Sequence, residues 1–114
     1  MEFNSDLTRS VVQPIVLKLV QERPMYGYEI IKVVNERTQE AFQWKEGTLY
    51  PCLHRLEGEG LIQSEWQESD NGRKRKYYSI TRKGSAVLAD RLEEWSRFRE
   101  AVSCLLMAPV GMRT

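Results

Sequence analysis

Most of the residues that catalysis or a membrane would need are scarce in this sequence. It holds one histidine, His54, and two cysteines, Cys52 and Cys104. Two cysteines so far apart fit neither a zinc spacing nor a disulfide framework. Cys52 and His54 stand two apart on a predicted helix, about 200° around its axis, so they cannot form a local nucleophile–base pair. Gly58-Glu59-Gly60 lacks the third glycine of a phosphate-cradling loop and precedes a strand instead of opening a helix. The longest apolar stretches, 15–17 and 104–108, are far too short to cross a bilayer. Met-Glu-Phe-Asn-Ser-Asp at the start has no basic segment followed by an apolar one, so no secretory signal is expected. These absences predict a cytoplasmic chain that is not an enzyme and carries no metal, no cofactor and no membrane span. Neither repeats nor low-complexity linkers suggest a second independent unit.

What is present is an ordinary globular composition. The 114 residues are 41% hydrophobic and 29% charged, enough for one modest core. The net charge is +1, and such a total argues against a partner as anionic as nucleic acid. The arrangement argues the other way. Residues 57–70 hold five acids and no base, whereas 71–83 hold six bases and no acid.

Hydrophobic spacing predicts a first helix over 7–22, interrupted at Pro14 by a kink or by a late start with Ser10 as cap. A second helix is expected over 26–38, with Gly27 in its first turn leaving room for another backbone. A third should begin at a Gly47 or Thr48 cap, with Pro51 in its first turn and a stripe of Leu49, Cys52, Leu53 and Leu56. Gly58 and Gly60 end it. Strands follow over 61–66 and 76–81, joined through Asp70-Asn71-Gly72, a strong turn signal. Tyr78 and Ile80 share one strand face, with Tyr77 and Ser79 on the other. Thr81 should cap a last helix reaching about Met107, stopped by Pro109 and Gly111. Helix, helix, helix, hairpin and long helix together predict a mainly α (α+β) fold. It reads as a winged helix-turn-helix over 1–81 and a C-terminal dimerisation helix over 82–108, forming one compact unit.

At these residues the sequence resembles the PadR family of bacterial transcriptional regulators, in its short-tailed form. The resemblance rests on Met25-Tyr26-Gly27-Tyr28-Glu29-Ile30, then on the run from Glu46 through Gly47-Thr48-Leu49-Tyr50-Pro51 to Glu57, then on Gly60-Leu61-Ile62. It continues in the run from Gly72 to Thr81 and in Gly84, so that four motifs in order span roughly 7–106. It implies a homodimeric repressor that binds an inverted-repeat operator in double-stranded DNA and is released by a small molecule.

On that reading Thr48, Tyr50, Pro51, His54 and Arg55 are the DNA face of a recognition helix over 47–59. Thr48 and Tyr50 can bond phosphates or base edges, Arg55 a phosphate or guanine, and Pro51 a thymine methyl. The plain alternative is a solvated helix side with Tyr50 tucked against a neighbour. Arg73, Lys74, Arg75 and Lys76 are the expected phosphate contacts of the wing. The competing use is a solvated turn, with Glu65, Glu68 and Asp70 pairing some of these cations. Tyr77 and Tyr78 should pack under the hairpin.

The last helix carries a heptad-like seam of Leu88, Leu92, Trp95, Phe98, Val102 and Leu105. At roughly 25 residues it would be about 38 Å long, more than the core needs. Dimerisation with the first helix filling the gap is the preferred reading, and packing within one chain is the alternative. The resemblance further implies that an aromatic near this point can line a flat-ligand pocket at the dimer interface. Trp95 and Phe98 are the candidates for a small aromatic effector, against the more ordinary role of core aromatics. A winged-helix module that meets a protein, without sequence-specific DNA binding, is the rival from another class.

Overall fold

The structure, a computed structural model, describes residue 3 and residues 5–111. α1 spans Ser5–Glu22 as one continuous helix that includes Pro14. The late start at Ser10 is therefore corrected: the Ser10 hydroxyl donates to the Leu7 carbonyl inside the helix, at 3.2 Å. Proline at 14 removes the bond its N–H would give the Ser10 carbonyl. Burial of Val12, Val16, Leu17, Leu19 and Val20 on both sides of it holds the helix together nonetheless.

A two-residue strand, β1 (Met25–Tyr26), follows, which hydrophobic periodicity is too short to reveal. α2 occupies Gly27–Arg37, with Tyr26 as its N-cap and Thr38 as its C-cap, one residue inside the expected bounds at each end. The connection to the next helix is pinned by Asn35. Its amide donates to the Trp44 carbonyl (3.1 Å), and its side-chain oxygen accepts from the Trp44 N–H (2.8 Å).

α3 runs over Glu46–Gly58, starting after Lys45, which caps it without a side-chain hydrogen bond. Neither Gly47 nor Thr48 is the cap, and Pro51 falls in the second turn. The carbonyl left without a partner there belongs to Gly47, which faces away from the core like Pro51 itself, so water can satisfy it. Leu49, Cys52, Leu53 and Leu56 are buried as the spacing predicts. The helix closes on Gly60 in the left-handed region (φ +76°), with Leu61 N–H bonded to the Leu56 carbonyl and Gly60 N–H to that of Glu57.

β2 (Ile62–Glu68) and β3 (Lys74–Ile80) form a longer hairpin than the predicted strands, and the sheet order is β1-β3-β2. Ile62 pairs with Ile80, Ser64 with Tyr78 and Glu68 with Lys74, while Met25 and Tyr26 pair with Tyr78 and Tyr77 on the other side of β3. The hairpin turn is tied by Ser69 and Asn71, and Gly72 adopts a positive φ of 81°.

Thr81 caps α4 (Arg82–Leu106), its hydroxyl accepting from Gly84 N–H at 3.0 Å. Gly84 is needed because a side chain there would run into the Leu61 carbonyl and Ile80. Only Gly84 and Leu88 of α4 are buried. The helix then leaves the core formed by α1, α2, α3 and the sheet, and the molecule is drawn out to 61 × 31 × 20 Å.

Candidate nucleic-acid interface

All five predicted residues of α3 lie on its exposed side, and they divide by direction. At about 100° per residue, Gly47, Pro51, His54 and Gly58 point furthest from the buried stripe. Thr48 and Arg55 lean toward α1, where they border an open groove of about 750 Å³ together with Gln13, Phe42, Trp44 and Arg91. Tyr50 leans toward α2. A β-carbon at Gly27 would stand 2.5 Å from its hydroxyl oxygen, so the glycine makes room for a tyrosine ring and not for a backbone. With 36% of its surface exposed, Tyr50 is partly packed and partly offered outward.

Tyr50 also neighbours the buried Tyr78. Burial pushes the Tyr78 phenol above its ordinary pKa, with the charges of Glu57 and Tyr50 adding to the rise. Cys52, on the buried side of α3, is pushed up to about 11, chiefly by burial, which outweighs the lowering effect of Arg55 and is joined by a smaller rise from Glu59. It is a packed thiol.

The four wing cations are not one cluster. The pleat places Lys74 and Lys76 on one face with Tyr78, and Arg75 on the other with Tyr77, while Arg73 precedes the strand. Arg75 lies over the Tyr26 ring at 4.3 Å, and Tyr26 meets Tyr77 edge-on at 5.4 Å. Lys76 pairs with Glu57 of α3 at 3.6 Å and sits 5.6 Å from the Tyr78 ring centre. Arg73 and Lys74 are exposed at the tip. Among the described residues, Glu65, Glu68 and Asp70 form no ion pair with these cations.

Glu57 is a residue that sequence reasoning missed. Besides Lys76, it accepts a 2.5 Å hydrogen bond from Ser64, so one carboxylate of α3 ties down both strands of the wing. Nothing in the sequence marks it, because the contact depends on which flank of α3 the hairpin crosses. Trp66 was missed as well. It pairs across the hairpin with Lys76 and is 66% exposed, although strand alternation groups it with the buried Ile62. The core ends before the strand does.

On α4, Leu92, Trp95, Phe98 and Leu105 are exposed and Val102 is half-buried. Leu88 departs from the predicted seam. At 1% exposure it is spent inside its own chain, against the core, and has no surface left for a partner. Phe98 borders a shallow depression with Asp90, Glu94 and Arg97, and Trp95 lies outside that lining. Among the described residues, no group of three or more His, Cys, Asp or Glu side chains is placed to hold a metal, and no helix is long and apolar enough to cross a membrane.

A helix seated on α1 and α2, presenting one uncovered side, with a basic hairpin anchored to its flank, defines a winged helix-turn-helix protein. The chain belongs to the PadR-like family of transcriptional regulators, whose model matches residues 16–90. It is 34% identical to the transcriptional regulator Rv3488 of Mycobacterium tuberculosis, over 81% of this chain and 85% of that protein. Among solved structures it is similar to a transcriptional regulator from Clostridium thermocellum (TM-score 0.83, 36% identity, covering 91% of this chain and 98% of that one). A PadR-like regulator from Bacillus cereus superimposes with a TM-score of 0.82 at 31% identity, over 92% of this chain and all of the other.

Proposed function

We propose that the protein is a cytoplasmic repressor that binds an inverted-repeat operator in double-stranded DNA as a homodimer. The observation that carries this reading is the outward row of α3, Gly47, Pro51, His54 and Gly58, which no other element covers and which Thr48, Tyr50 and Arg55 flank. Two glycines leave that row low enough to enter a groove about 12 Å wide. Arg73, Lys74 and Arg75 supply phosphate contacts at the wing, and Lys76 contributes only where it leaves Glu57.

Leu92, Trp95, Phe98, Val102 and Leu105 form the dimer face, since so many exposed apolar side chains on one helix are costly in water. An isologous pair through α4 and α1 sets two α3 helices for half-sites about 34–36 Å apart. Trp95 and Phe98 are the residues that a small aromatic effector would meet at that interface. Selection of bound sequences from random duplexes tests the reading, and a palindrome with one-turn half-site spacing is expected. Failure of the dimer to bind any duplex at low salt would replace it with the protein-interaction module.

A further inference from the structure

We infer that Trp66 is a DNA contact of the wing, its indole set against the sugar edges of the minor groove beside the major groove that α3 enters. The inference rests on the DNA-binding reading above and adds to it an apolar contact on a hairpin otherwise read through its cations.

Three observations carry it. Trp66 is two-thirds exposed, and the outer part of its strand face is polar, with Ser64 and Glu68 on its own strand and Lys74 and Lys76 across, while Ile62, Tyr78 and Ile80 of that face lie toward the core. Lys76, its direct cross-strand neighbour, leans away from it toward Glu57 and Tyr78. The face itself is the one turned to α3, because Ser64 and Lys76 both reach Glu57 from it. Trp66 therefore stands in the angle between helix and wing, level with Lys76 and one step beyond Ser64, the two residues that fasten the wing to Glu57. Whatever lies along the outer side of α3 also passes this ring.

The chemistry of the angle favours a duplex over an apolar partner. Glu68 faces Lys74 and Asp70 shares the turn with Arg73, but among the described residues neither acid pairs with either exposed cation, which leaves both cations for phosphates on either side of a flat apolar group. A minor groove offers that combination, since its deoxyribose edges are apolar and its rims are charged.

The test uses the intact protein and compares wild type with Trp66→Phe and Trp66→Ala. Binding is followed by anisotropy of a labelled mixed-sequence duplex at low salt and of a duplex recovered by selection. The part of the tryptophan emission missing from Trp66→Phe reports this ring, because Trp44 is buried and Trp95 is common to both proteins. Added duplex should shield that part from acrylamide. Trp66→Ala should weaken binding about fivefold with an unchanged salt slope, since an apolar contact releases no counterions, and Trp66→Phe should restore much of the loss. If the duplex binds while Trp66 stays equally quenched, the inference falls and the DNA reading stands. If no duplex binds, both fall. Shielding that grows with protein concentration in the absence of DNA would make Trp66 a contact between two copies, along the open edge of β2, and would overturn the inference too.

Discussion

Single side chains of this protein have separable duties, and glycine shows it most clearly. Gly84→Ala puts a β-carbon against the Leu61 backbone carbonyl, which cannot move without opening the cap of α4. A loss of about 2–4 kcal/mol is expected in urea unfolding. Gly58→Ala meets nothing within 4 Å. It should stabilise α3 by about 0.5–1 kcal/mol while weakening operator binding, because it adds bulk to the outward row. The two cysteines differ in the same way. At pH 8, Cys104 is exposed and should react with iodoacetamide, whereas Cys52, buried with a pKa near 11, should react only after unfolding. Mass spectrometry of native and denatured samples distinguishes them, and a doubly labelled native protein would contradict the packing of α3. His54→Ala should narrow the gap between operator and random duplexes with little change in the salt slope, as expected for a side chain that reads base edges.

Helix and wing act as a pair because Glu57 joins them. Replacing Glu57 by Gln keeps an acceptor for Ser64 but removes the charge that holds Lys76. Both charged groups are about one-third exposed, so the fold should lose well under about 1 kcal/mol. The freed Lys76 can then reach a phosphate, and the slope of log affinity against log salt should steepen by about 0.9. Converting Arg73, Lys74 and Arg75 together to Ala should flatten that slope and weaken all sequences alike; an unchanged slope would remove the wing from the interface. The element boundaries show what periodicity can see. The stripe of α3 and the Thr81 cap were legible because spacing and a hydroxyl before a helix are local signals. The strand Met25–Tyr26 was not, since two residues carry no period and only the partners Tyr77 and Tyr78 make them a strand. Pro14 misled for a related reason: its local cost is readable, but the burial on both sides that offsets it is not.

As an assembled object the protein is a small core with one long helix extending past it. The apolar residues of α4 beyond Leu88 are only partly covered by their own chain, and if they form the proposed dimer face, folding stability should depend on protein concentration. On the proposed dimer, Trp95→Ala with Phe98→Ala should shift the sedimenting species from dimer to monomer and lower the unfolding temperature most at low concentration. A variant that remains dimeric would place the interface elsewhere. The charge balance also takes its meaning here. Five acids over 57–70 and six bases over 71–83 nearly cancel in the total, yet within the hairpin they are divided, Glu65 and Glu68 on β2 and Lys74, Arg75 and Lys76 on β3. Glu57 is the acid of that stretch that pairs with a wing cation, and the tip remains positive.

Fold class, the order of elements, the buried side of α3 and the family resemblance were all available from the chain itself, because helical and strand periods are properties of neighbouring residues. Direction and partnership were not. That Lys76 is held by Glu57, that Arg75 lies on Tyr26, that Tyr50 fills the space above Gly27, that Leu88 turns inward and that Trp66 is left exposed all depend on which distant segments meet. Those meetings follow from long-range packing and from where the core runs out, and a pattern along one strand or helix carries neither.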